Sequence, residues 1–408
     1  MSISDRALKL QSAPSAIMLG HQKWSEDPFS KQNPLGILNF GIAENHLLND
    51  LIIPKINQNV NLCAEHIQYN TLYGLEEVRK TVAIFFENYL NLKNVQAENI
   101  IIQSGLSCIC ESLSFSLFDQ NDIIMIAAPY YTGFEHDFTK RFGCEFLKVP
   151  LKTSNKFEHE ISSFITTYQN HPHPEKIKAV LITHPHNPTG EKLSYTFGQK
   201  LIDFCLKNDL ELICDEVYAL SSHTKASHQS LYQLAIDANV KAHFLYGMAK
   251  DFALAGLKVG FYLSPDMQLT ESLKNVSYFH PVSTQTQLLV ANILSDTHFL
   301  DTLICENQKR LASVVAKIRN ELPQFSFLSY DAGLFIILNL SSYCQNFADE
   351  QDLFNYFLNE LKINFTAGQD MSFQEPGYFR VCFAKEKGDI SEFITRMKTF
   401  KFKPKEQK

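Results

Sequence analysis

Through the middle of the chain the apolar residues fall in short unbroken runs, separated by turn residues and by longer stretches of helical spacing. Residues 100–102 read as a strand, Ser104-Gly105 as a turn, and 107–118 as a helix with apolar positions at mixed three and four spacing. Residues 122–127, 144–149 and 179–183 read as strands, 192–207 as a helix, and 210–214, 243–246 and 259–263 as strands again. Runs that are apolar throughout are buried on both faces. Their alternation with helices predicts an α/β layered domain with a largely parallel sheet. Beyond about Pro281 the texture changes. A long helical stretch, 285–319, precedes short strands near 335–340 and 379–383, which predicts a smaller α/β lobe. No internal repeat and no low-complexity linker is seen, and 401–408 reads as a frayed basic tail.

Composition narrows the class. A chain of 408 residues is long for one minimal domain and suggests two or three. With 45% hydrophobic and 20% charged residues it is neither disordered nor fibrous. Thirty-seven basic against 44 acidic residues give a net charge of −7, which offers no general attraction to nucleic acid or an anionic membrane. No run of 18 uncharged apolar residues predicts a spanning helix. Residues 1–20 mix Asp5, Arg6, Lys9 and Gln11 among apolar positions, so no secretory segment is expected there. Nine scattered cysteines without C-x-x-C spacing read as reduced thiols of a cytoplasmic protein.

The chemistry sits at the ends of the predicted strands. Neither a G-x-G-x-x-G after the first strand nor a P-loop is present. Instead Asn187 follows the 179–183 strand, Asp215 and Tyr218 follow 210–214, and Lys250 follows 243–246. Open α/β sheets place ligands at those ends. An Asn, an Asp, a Tyr and a Lys in that order suit a pyridoxal 5′-phosphate (PLP) site. An aldehyde cofactor held as an imine needs a lysine amine. Its pyridine nitrogen stays protonated beside a buried carboxylate, hence Asp215. Asn187 and Tyr218 can donate to the ring's phenolic oxygen. Gly105, Leu106 and Ser107, at the start of a helix, can receive the phosphate. The histidines 171, 173, 184 and 186 lack cysteine or carboxylate partners at ligand spacing, and no metal is expected. Tyr130, Cys108 and Cys110 read as packing residues.

With these residues in view, the sequence resembles fold-type I PLP enzymes of the class I/II aminotransferase group, and within it the 1-aminocyclopropane-1-carboxylate (ACC) synthases. The resemblance runs roughly from Asn33 to Ala384. It is carried by Gly41-Ile42-Ala43-Glu44-Asn45, Tyr73-Gly74-Leu75, Pro129-Tyr130-Tyr131-Thr132-Gly133-Phe134, Val282-Ser283-Thr284-Gln285-Thr286-Gln287, Ala332-Gly333-Leu334-Phe335 and Glu375-Pro376-Gly377-Tyr378-Phe379-Arg380-Val381-Cys382-Phe383-Ala384. It implies an aspartate aminotransferase-like fold. A large PLP-binding domain would span 45–290, and 1–44 with 291–408 would form a small domain and an N-terminal arm. It also implies that Lys250 links to the cofactor and removes the substrate's Cα proton, and that Asp215 pairs with the ring nitrogen. Tyr131 would stack on the ring, and Arg380 would grip the α-carboxylate in the forked geometry a lysine lacks. Tyr73 would reach the phosphate and substrate of the neighbouring subunit in a homodimer. Glu44 would lie near the substrate's side chain.

Three positions depart from the family pattern. Lys258 stands where the family has arginine, and Gly247 where it has serine three residues before the Schiff-base lysine. His136 stands where ACC synthases usually carry arginine. The first two predict weaker retention of the cofactor. The reaction the resemblance implies converts S-adenosylmethionine to ACC and methylthioadenosine. An aminotransferase exchanging amino acid and 2-oxo acid would use the same residues, and a PLP-binding protein with degraded catalysis is a third reading.

Overall fold

The computed structural model describes residues 16–404 apart from 59, 226 and 329, together with 3, 4, 7 and 8. Most of the stretch read for a secretory segment, and residues 405–408 of the basic tail, lie outside the described residues.

In chain order the strands are β1 (Leu38–Asn39), β2 (Ile100–Gln103), β3 (Ile123–Ala128), β4 (Glu145–Pro150), β5 (Ile177–Thr183), β6 (Glu211–Asp215), β7 (Ala242–Gly247), β8 (Gly260–Leu263), β9 (Ser326–Leu328), β10 (Phe335–Asn339), β11 (Ile363–Asn364), β12 (Thr366–Ala367) and β13 (Tyr378–Cys382). Seven of them form the central sheet in the order β2-β8-β7-β6-β5-β3-β4. The β3–β4, β3–β5, β5–β6 and β6–β7 pairs are parallel, and β8 runs against both of its neighbours. Every residue of β2, β3, β7 and β8 is buried. Helices therefore cover both faces, and this is why the runs carry no polar alternation. Thr183 pairs with Asp215 and Asp215 with Leu245, so β5, β6 and β7 end at one edge and their following loops project together.

A four-stranded antiparallel sheet, β12-β13-β10-β9, forms the second layer. Its core joins residues from both ends of the chain. Phe40 stacks on Phe393 with ring centroids 4.5 Å apart, and β1 pairs in parallel with β11. The core of the central sheet, for its part, extends past position 290 to Leu303 and includes Ile337 and Tyr378, so the two packing units interlock.

One expectation needs correction. The stretch 285–319 is two helices, Thr284–Ser295 and Thr297–Glu321, bent by 81°. Asp296 makes the break, because its carboxylate accepts from the Phe299 N–H at 3.0 Å and starts a new helix. Among the described residues no single helix is long and apolar enough to cross a membrane. All nine cysteines are free thiols.

Candidate active site

The loops at the C-terminal edge of the sheet enclose a cavity of about 400 Å³, lined among others by Gly105, Ser107, Tyr131, Asn187, Asp215, Tyr218, Lys250, Lys258 and Arg380. Asp215 is the last residue of β6 and is buried, its Oδ1 accepting from the Val217 N–H at 3.2 Å. Its neighbour Glu216 fixes the turn, accepting from Ser230 Oγ, the Tyr232 N–H and His228. Burial pushes the Asp215 carboxyl up to about 7, against the pull of the Val217 N–H and the Lys250 ammonium.

Lys250 sits three residues past β7. Its loop is tied down by Asp251, which accepts from Ser221 Oγ at 2.6 Å, Tyr246 OH at 2.8 Å and the Leu220 N–H at 3.0 Å. Lys250 Nζ donates to the Ala43 carbonyl at 2.6 Å, and burial pulls the amine down to about 8. The amine still carries its proton for the most part at neutral pH, but it gives the proton up far more readily than an exposed lysine does.

Arg380 leaves β13 towards the same cavity. Its Nη1 donates to Asn187 Oδ1 at 3.0 Å, and its Nη2 to the Gly41 carbonyl at 2.7 Å and Thr366 Oγ1 at 3.0 Å. Asn187 Nδ2 in turn reaches Tyr218 OH at 3.5 Å. Among the described residues the buried guanidinium is thus held by neutral oxygens alone, which orients it and leaves its charge available to a carboxylate. Three successive carbonyls of one strap meet three cations: Gly41 meets Arg380, Ile42 meets Lys385 at 3.2 Å, and Ala43 meets Lys250.

Tyr131 forms another wall. A Cβ on Gly133 would come within 2.3 Å of its ring, so only glycine leaves the ring its place. On the opposite flank Gly105 (φ +95°) starts the helix Leu106–Leu117, and a Cβ built there would lie 3.7 Å from Lys258 Nζ. The helix N-terminus, the Ser107 hydroxyl and the Lys258 ammonium together make a cradle for an anion. At Gly247 a Cβ would meet the Val259 carbonyl at 3.0 Å, which is tight for any side chain.

Two of the residues singled out in the sequence stand apart from this cavity. Glu44 pairs with His46 at 3.3 Å and lines a separate cavity of about 240 Å³, which shares Ala249 and Ala255 with the first. The hydrogen bond from His46, then the nearby charges of Lys385, His46 and Lys250, lower its pKa despite partial burial. The Tyr73 ring lies beneath Arg79 and Lys274, 5.0 and 5.3 Å from its centroid, outside the cavity of its own chain. His184 and His186 are buried beneath the Asn187 loop, His186 paired with Thr189 Oγ1 at 2.9 Å. Tyr130 is buried and bonded to Glu135, and burial raises the Cys110 thiol.

Sequence reasoning missed Thr366, which holds Arg380, and Asp137, which lines the cavity beside Ser107. Thr366 could have been found only through the pairing of β12 with β13, which sets it opposite Arg380. By its donor set the cavity fits PLP: an amine of lowered basicity, a buried carboxylate, two donors for a phenolic oxygen, a ring wall and an anion cradle.

Comparison with known proteins agrees. Residues 36–397 match the family Aminotransferase class I and II. A 1-aminocyclopropane-1-carboxylate synthase of Nicotiana tabacum is 30% identical over 406 residues, covering 93% of this chain and 82% of that one. Synthase 5 of Arabidopsis thaliana is 30% identical over 411 residues, covering 95% and 87%. Among solved structures, a Thermus thermophilus aspartate aminotransferase variant complexed with tryptophan superposes with a TM-score of 0.81 at 17% identity, covering 97% of this chain and 98% of that one. An aromatic aminotransferase from Pyrococcus horikoshii gives 0.75 at 19% identity, covering 88% and 94%. At such identities the structural likeness concerns the fold.

Proposed function

The chain belongs to the class I and II aminotransferases and is a PLP-dependent enzyme, and from that premise we propose that it carries out ACC synthase-type chemistry on S-adenosylmethionine. The observation that carries the reading is the convergence of Lys250, Asp215 and the Arg380–Asn187–Tyr218 chain on one cavity. The relatives named as ACC synthases favour this chemistry.

In the proposed mechanism Arg380 takes the substrate α-carboxylate on its forked face, already aimed by Asn187, Gly41 and Thr366. Lys250 accepts the Cα proton, helped by its lowered pKa. Bound PLP supplies the electron sink for the pair left at Cα. Asp215 would hold the proton on the ring nitrogen, Asn187 and Tyr218 would donate to the phenolic oxygen, and Tyr131 would supply the wall for the ring. The Cα pair then forms the bond to Cγ while the Cγ–S bond breaks towards sulfur, releasing ACC and methylthioadenosine. The sulfonium is a ready leaving group, so the protein's share is positioning and shielding of the carbanion.

We place the large domain at 45–290 and the small domain and arm at 1–44 and 291–408, and the enzyme in the cytoplasm as a homodimer. Exposed Tyr69 lies four residues before Tyr73, and exposed Tyr278 and Phe279 follow the helix whose Lys274 covers the Tyr73 ring. Such an apolar surface suits a second copy, to which Tyr73 would be presented.

Product analysis by mass tests the reaction. The PLP-loaded protein incubated with S-adenosylmethionine should yield methylthioadenosine and ACC in equal amounts. No release, with 2-oxo acids formed from common amino acids, would leave the aminotransferase reading, which the family match also supports.

The cradle supports a prediction of its own. Lys258→Arg restores a planar fork beside Gly105 and should tighten PLP binding several-fold, worth about 1 kcal/mol. An unchanged or larger cofactor dissociation constant would remove this account of the substitution.

A further inference from the structure

The wall that suits the phosphate also carries a group of the opposite preference. Asp137 belongs to the single π-helical turn Glu135–Thr139, which packs on the helix Leu106–Leu117. It lines the main cavity with Gly105, Leu106, Ser107 and Lys258, close enough to Ser107 and Lys258 that both favour its ionised form. Ser107 and Lys258 are the same donors that face an incoming anion. Among the described residues its charge also reaches Cys108 and Cys110 on the helix, Tyr131 on the loop before it and Asp215 at the end of β6, none of them a cation. On its own turn it has Glu135 and His136 as neighbours.

We propose that Asp137 is a built-in rival of the cofactor's phosphate for Ser107 and Lys258, so that PLP binds with uptake of a proton by Asp137 and is held less tightly as the pH rises. The inference needs only the PLP dependence and is independent of which amino acid reacts. A phosphate dianion beside an ionised carboxylate is repelled, whereas a protonated carboxyl donates a hydrogen bond to it.

The sign follows from linkage. Burial has already pushed this carboxyl up to about 6, against the pull of Ser107 and Lys258, and a bound dianion pushes it further. Below about pH 6 the proton is present in both states and costs nothing. Above it the free protein has lost the proton that the complex keeps, so affinity falls with rising pH until the bound-state pKa is passed. The phosphate's own second ionisation, at a pKa of roughly 6, acts in the opposite direction. It is common to wild type and variant and cancels in their ratio.

The test is the PLP dissociation constant of the full chain and of Asp137→Asn at pH 5.5 and 8.5. The variant should bind about tenfold tighter at pH 8.5, the equivalent of one pKa unit gained by Asp137 on binding, with a ratio near one at pH 5.5. A ratio that does not change with pH, or weaker binding by the variant at pH 8.5, would overturn the proposal. Should the variant fail to fold, calorimetry of the wild type at pH 7 in two buffers of different ionisation enthalpy decides. PLP should take up more protons than pyridoxal, which lacks the phosphate. Uptake no greater than with pyridoxal, once the proton lost by the phosphate itself is added back, would contradict the proposal.

Discussion

Lys250→Ala should lower turnover by at least about a thousandfold while the folded protein still takes up PLP non-covalently. The size follows from the two tasks assigned to one amine, covalent attachment of the cofactor and acceptance of the Cα proton. No neighbour can take over. Arg380 is engaged by Asn187, Gly41 and Thr366, Lys385 is turned to the Ile42 carbonyl, and Lys258 lies across the cavity beside Gly105. The loop should survive the change, because its anchors run through Asp251 to Ser221, Tyr246 and Leu220 and not through the amine. The amine's own hydrogen bond, to the Ala43 carbonyl, is removed with it. Single-turnover assays on the PLP-loaded variant check this. Activity within tenfold of wild type would show that another group performs the proton transfer.

The second large effect is expected at Asp215. Asp215→Asn keeps the shape and removes the charge, so nothing compels the cofactor's ring nitrogen to keep its proton and the electron sink weakens. A loss in kcat on the order of a thousandfold, about 4 kcal/mol of transition-state stabilisation, is expected, with little change in the apparent affinity for the amino acid. The variant also makes a stability prediction of opposite sign. In the protein stripped of cofactor, the Asp215 carboxyl is raised to about 7 by burial, so the folded state holds a proton that the unfolded state releases near pH 4. Stability contributed by this group therefore falls as the pH rises from about 4 to about 7. Asp215→Asn should melt above the cofactor-free wild type at pH 8, by up to about 4 kcal/mol in stability, and the difference should vanish towards pH 4. Saturating PLP should reverse the order at pH 8, because only the carboxylate pairs with a ring cation. Thermal melts at the two pH values, with and without PLP, check both signs. A variant less stable than wild type in every condition would mean that Asp215 is structural.

Much of this arrangement was readable along the chain, and the reasons are local. Strands buried on both faces announce themselves as unbroken apolar runs, and β2, β3, β6, β7 and β8 begin and end within two residues of where those runs do. Asn187, Asp215 and Lys250 stand just beyond such runs, so their common edge follows from a parallel register. What stayed hidden depends on contacts between distant segments. The hydrogen bond from Arg380 to Gly41 spans 339 positions, and no spacing rule links the two. Thr366 looks like any threonine until β12 pairs with β13. Asp137 sits in a π-helical turn, a shape that apolar periodicity does not encode, so its approach to Ser107 could not be foreseen. Asp296 could be read as a cap only by weighing its side chain against an otherwise continuous helical pattern.

The covalent attachment site can be read directly. Reducing the PLP-loaded protein with borohydride and mapping its peptides by mass spectrometry should place the pyridoxyl group on Lys250 and on no other lysine. Label recovered at Lys258 or Lys385, or spread over surface lysines, would contradict the assignment on which the mechanism rests.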